Sequence, residues 1–173
     1  VPMRTSCRRY LEGARNAALH LGHKIEVFRL SDAPGQDARL DLVLRTRGIQ
    51  GLLLGPLPEP SGGFSLSWEH FATVALEHSF SWPQFDRVVH DHYGGMRLLM
   101  DLCRRQGEFR VGLVLSRTGH ERTLRTNAAA FLVEQQADPR FAAIPALFLE
   151  SWDPVTVARW TAQHLPNVII SSN

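Results

Sequence analysis

Cysteine is scarce in this chain of 173 residues: Cys7 and Cys103 are the only two, and no CxxC or other metal-ligating spacing is possible between them. Cys103 falls inside a helical pattern, as a small buried thiol would, and two reduced cysteines are a simpler reading than a disulfide. Long hydrophobic runs are also missing. No apolar stretch reaches the roughly 18 residues of a membrane-spanning helix, and the opening VPMRTSCRRYLEGA lacks the apolar core of a secretory signal. Val1 is not an initiator methionine, so the natural start is expected to lie elsewhere. Nor is there an excess of charge: 19 Lys and Arg against 17 Asp and Glu leave a net +2, spread along the chain, which argues against a nucleic-acid surface in this segment. Repeats and low-complexity tracts are absent. What remains, 44% hydrophobic and 21% charged, is the balance of a globular domain with a buried core.

Apolar periodicity divides the chain into alternating elements. Tyr10, Leu11, Ala14, Ala17, Ala18 and Leu21 form one helical stripe that Gly22 ends, and KIEVFRL follows as a short strand. A helix over about 37–47 carries Leu40, Val43 and Leu44 and stops at Gly48. IQGLLLG then reads as a strand buried on both faces. GPLPEPSGG is a loop just past that strand. A short helix near 67–73 leads to VALEHSF as a strand, and FDRVV is the next. An Asp-x-x-Gly-Gly turn at Asp91, Gly94 and Gly95 opens a helix that ends at Gly107. RVGLVLS is a buried strand, 121–135 a helix with Leu124, Ala128, Phe131 and Leu132 inward, and AIPALFL a strand. A helix from Pro154 to His164, capped by Ser151 or Asp153, and the strand NVIISS complete the chain. Such alternation implies right-handed crossovers and largely parallel sheets with helices on both faces.

Several constellations invite chemistry. His90 and His92 flank Asp91, but in an extended segment the two rings face opposite ways, which speaks against a shared metal. Ser116, His120 and Glu121 offer a nucleophile, a base and an orienting acid without the G-x-S-x-G elbow. GPLPEPSGG has neither the Walker lysine nor a dinucleotide fingerprint. Gly94 and Gly95 precede a helix whose free N–H groups suit an anion, although a tight turn needing glycine is the favoured account. Arg125, Trp152 and Asn173 each lie at or beyond the carboxyl end of an expected parallel strand, where open α/β sheets bind ligands. A guanidinium, an indole and an amide together suit a polyol: charged donors hold hydroxyls, and the ring covers the C–H face of a sugar. The alternative is a structural tryptophan and a solvated arginine.

From Tyr10 to Asn173 the chain resembles the effector-binding domain of the LacI/GalR repressors. The resemblance rests on YLEGARNAALHLGHKIEVF, LVLRTRGIQGLLLGP, FDRVVHDHYGGMRLLMDLCRRQGEFRVGLV, ERTLRTNAAAF and PNVIISSN in that order. Ala128 stands where glycine is usual, Ala129 where an aromatic is usual, and QGEFRVG departs from the common pattern. The resemblance implies an α/β, periplasmic-binding-protein-like fold of two Rossmann-like lobes with mostly parallel sheets. Residues 1–86 would be the N-terminal lobe, lacking its first strand, and 87–173 an incomplete C-terminal lobe, with the DNA-binding head absent. It further implies a bacterial, cytoplasmic, non-enzymatic regulator without cofactor or metal, sensing a sugar or small polar metabolite between the lobes. Arg125, Trp152 and Asn173 would touch the effector, and Asp91 is a weaker candidate. The partners would be that effector, DNA through the missing head, and a second copy joined partly by the first helix. A periplasmic sugar-binding component of a transporter is the alternative.

Overall fold

The computed structural model describes residues 5–28, 36–57, 65–80 and 82–172. Its contacts divide the chain into two compact units, Val1–Val89 and His90–Asn173. In the first, helices α1 (Thr5–His20) and α2 (Gln36–Thr46) precede strands β1 (Gly51–Leu54), β2 (Ala72–Leu76) and β3 (Asp86–Val88). The strands form a parallel sheet in the order β1-β2-β3. Leu44 of α2 packs with Leu66 and Phe71 over Leu52, and Leu54, Ala75 and Phe80 form a second cluster with Phe85. Asp41 is buried on α2, where its carboxylate accepts from the Ser67 amide at 2.8 Å and pairs with Arg45 at 2.8 Å. The Ser67 amide above all holds that carboxyl below the ordinary aspartate range.

Two expectations for this unit fail. Residues 24–28 of the KIEVFRL segment are irregular, although Ile25 and Val27 alternate with charge, because a strand exists only by pairing and, among the described residues, β1 pairs with β2 alone. β1 is likewise not buried on both faces: among the described strands it lies at the sheet edge, and Leu53 is half exposed. Most of GPLPEPSGG lies outside the described residues.

The second unit contains α3 (His92–Arg105), β4 (Val111–Ser116), α4 (Arg117–Arg122), α5 (Thr126–Ala137), β5 (Leu147–Leu149), α6 (Pro154–His164) and β6 (Val168–Ser172). β4 lies between β5 and β6, parallel to both. Alternation along β4 sorts the helices onto two faces. Val111, Leu113 and Leu115 meet Met96, Met100 and Cys103 of α3 and Ala128 and Phe131 of α5. Val114 points the other way, toward Trp160 of α6. Cys103 is the buried thiol expected, and burial raises its pKa. The glycines expected to end helices, Gly22, Gly48 and Gly107, all take positive φ (73°, 67° and 76°), where a Cβ would be strained.

The helix expected over 121–135 is two helices. Leu124 and Arg125 both adopt left-handed backbone (φ 49° and 63°), which ends α4 and starts α5 on a new axis. The break changes the helical phase, so Leu124 is exposed and Leu132 half exposed, while Ala128 and Phe131 remain buried. Among the described residues no helix is long and apolar enough to cross a membrane.

Candidate functional site

The second unit carries a hollow of about 450 Å³ at the carboxyl edge of its sheet. Leu115 near the end of β4 and Ile170 on β6 form its floor with Met96 and Leu99 of α3. Its polar groups are His90, Asp91 and His92 at the entrance to α3, Asn127 in the first turn of α5, and Ser171 on β6. One apolar surface faced by a few convergent polar groups is the usual make-up of a small-molecule site.

The loop into α3 is built by its own backbone and one side chain. Asp91 caps the helix, its carboxylate accepting from the Gly94 amide at 2.8 Å. A Cβ on Gly94 would sit 2.2 Å from the Asp91 Oδ2, so glycine is needed there for the cap to close. The anion reading of the Gly94–Gly95 turn therefore loses ground: the positive end of α3 already faces a carboxylate of its own chain. Gly95 differs, because it lines the hollow and a Cβ there would meet nothing within 4 Å. A side chain at that position would project into the cavity.

The expectation that His90 and His92 face opposite ways is corrected. The His92 amide donates to the His90 carbonyl at 2.9 Å, closing a tight turn in place of extended backbone. The two rings come to 5.8 Å between centroids, and both residues line the hollow. The Ser116, His120 and Glu121 set is not assembled as a nucleophile and base. The Ser116 hydroxyl accepts from the Gly119 amide at 3.0 Å as the cap of α4, and Glu121 pairs with Arg125. His120 lies against the Phe148 ring at 4.4 Å, with its Nδ1 buried and unbonded.

Of the four residues expected to bind ligand, Asp91 lines the hollow. Arg125 does not. It is the N-cap residue of α5 in left-handed backbone, its side chain 69% exposed and turned back to Glu121 at 3.3 Å. Trp152, which follows β5, is also absent from the lining and is 62% exposed, so it is no core tryptophan. Asn173 lies outside the described residues. Sequence reasoning missed His90, His92, Asn127 and Ser171 as lining groups. Only the rule that parallel sheets bind ligands at their carboxyl edge pointed toward them.

Solved structures share this fold. The chain aligns over 99% of its length with 66% of the Cra transcriptional dual regulator from Pseudomonas putida, crystallised in complex with fructose 1-phosphate, at 14% identity and a TM-score of 0.61. It aligns over 100% of its length with 68% of a PurR family transcriptional regulator from Vibrio parahaemolyticus RIMD 2210633, at 14% identity and a TM-score of 0.67. A periplasmic binding protein/LacI transcriptional regulator from Alkaliphilus metalliredigens QYMF, complexed with D-xylulofuranose, matches 100% of the chain with 65% of its own length, at 14% identity and a TM-score of 0.63. The chain thus spans about two thirds of the length of these structures. No family model and no curated protein matches its sequence. At such identities the likeness establishes the fold, which is the α/β, periplasmic-binding-protein-like fold of LacI-type effector domains.

Proposed function

We propose that the chain is the effector-sensing domain of a LacI-type transcriptional regulator and that the hollow of its second unit takes a sugar or similar small polar metabolite. One observation carries the reading: in a fold whose solved examples include sugar complexes, a cavity at the carboxyl edge of a parallel sheet pairs an apolar floor with polar groups on its rim. Asp91, His90, His92, Asn127 and Ser171 exchange hydrogen bonds with hydroxyls, and Leu115 and Ile170 cover the C–H face. Arg125, Trp152 and Asn173 follow β4, β5 and β6 in the chain; Arg125 and Trp152 are exposed outside the lining of the hollow, so their proposed contact with effector lies beyond it. The regulator is a cytoplasmic homodimer without enzymatic activity, with residues 1–86 and 87–173 as its two lobes, and it acts on DNA through a head outside this chain. A ligand controls it only by binding one of its states more tightly than another.

Thermal unfolding against a panel of sugars tests this. A ligand held at about 100 times its Kd stabilises the folded state by about 2.7 kcal/mol, which raises Tm by about 5–10 °C for a chain of this size. If no sugar, sugar phosphate or nucleobase moves Tm, the sensor reading is wrong. The coding sequence upstream separates the repressor from a transporter component, through a helix-turn-helix in the one case and a signal peptide in the other.

A further inference from the structure

The charge around the hollow is one-sided. Among its lining residues in the described part of the chain none is a lysine or an arginine, and the one carboxylate is that of Asp91. Two groups near the hollow that could hold a phosphate each face a carboxylate of the chain. The N-terminal end of α3 is capped by Asp91, which accepts the Gly94 amide. The nearest arginine in the chain to the lining residue Asn127 is Arg125, and it is paired with Glu121. The other polar groups are two imidazoles, an amide and a hydroxyl, which exchange hydrogen bonds with hydroxyls without requiring charge.

From this we infer that the site, on the sensor reading above, selects an uncharged polyol and rejects its phosphate ester, with Asp91 as the residue that sets the discrimination. A phosphate would bring up to two negative charges to a carboxylate that is fixed in place by its bond to Gly94 and cannot swing aside without uncapping α3. Repulsion between those charges at about 6 Å, even with water-like screening, amounts to roughly a tenfold loss in affinity. Gly95 leaves room for the ligand directly beside that carboxylate, since it lines the same hollow with open space where a Cβ would be.

The test compares D-xylulose, D-fructose and D-glucose with xylulose 5-phosphate, fructose 1-phosphate and glucose 6-phosphate by calorimetry and thermal shift. It uses the intact protein at pH 8, above the range in which imidazoles ordinarily carry charge. The expected result is binding of at least one free sugar at least about tenfold tighter than its phosphate. Asp91→Asn keeps a good helix cap and should raise the affinity for the phosphate severalfold while changing that for the free sugar less. Gly95→Leu fills the hollow and should abolish both without lowering the unliganded Tm. Tighter binding of a phosphate by the unaltered protein overturns the inference and leaves the sensor reading intact. A preference that Asp91→Asn does not change removes Asp91 from its role. Silence from both panels sinks the sensor reading and this inference together.

Discussion

Gly112 shows how much one side chain can decide. It lies under Trp160 on the sheet face that α6 covers, and a Cβ there would stand 2.3 Å from the indole Cη2 and 3.3 Å from the Pro166 Cβ. The indole cannot retreat cheaply, because it is buried and its Nε1 donates to the Pro145 carbonyl at 3.1 Å. Gly112→Ala should therefore cost about 1–3 kcal/mol by overpacking, read as a lower urea midpoint at unchanged slope. An unchanged midpoint would mean that α6 is free to move off the sheet. Asp91 and Gly94 are a pair of the same kind, in which one residue is small so that the other can reach back. The Asp-x-x-Gly spacing made that pair legible in the sequence. Nothing in the sequence linked Gly112 to Trp160, which are 48 positions apart (160 − 112) and meet only where α6 packs on the sheet.

At the scale of elements, α3 and α5 are joined at their carboxyl ends by Arg104. Its guanidinium bonds Asp138 at 3.0 Å and Glu134 at 3.3 Å, also reaches Asp101, and lies over the Phe141 ring at 5.4 Å. Glu134 and Asp138 are each only 13% exposed, so removing the cation strips Glu134 of this partner and leaves Asp138 to Arg140 at 2.7 Å. Arg104→Ala should cost about 1–3 kcal/mol, and Glu134→Gln in that background should recover part of it. Strictly additive effects in the double-mutant cycle would show that Arg104 and Glu134 do not act together. The elements themselves were well marked by apolar period and by glycines at helix ends. The exception is the boundary between α4 and α5. Arg125 takes left-handed backbone without being glycine, a conformation that propensity disfavours and only the surrounding packing imposes. That break carries Arg125 away from the hollow and brings Asn127 to it.

At the scale of the whole molecule, acid sensitivity follows from three aspartates placed in both units. Asp41 is held below the ordinary carboxylate range chiefly by the Ser67 amide, Asp138 chiefly by Arg140, and Asp153 chiefly by the Thr156 hydroxyl. In the unfolded chain each returns to its ordinary value. Their contribution is thus complete above that value and is lost as pH falls through the lower, folded one. Tm should hold near neutrality and drop steeply below about pH 4. Asp138→Asn should lower Tm at pH 7 and flatten the acid limb. A Tm independent of pH between 7 and 3 would show that these contacts are equally available to the unfolded chain.

The sequence by itself determined most of the alternation of helix and strand, the parallel class of the sheets, the turns at Gly22, Gly48 and Gly107, and the Asp91–Gly95 turn that opens a helix. Each of these rests on residues close together in the chain, where apolar period, backbone freedom and a short side-chain reach leave few choices. Tertiary structure alone decided which side chains surround the hollow. Asn127, Ser171 and the His90–His92 pair come together because β4 and β6 lie parallel and a tight turn folds the imidazoles onto one side. That is a matter of strand order and of the breaks between elements, which local pattern does not encode.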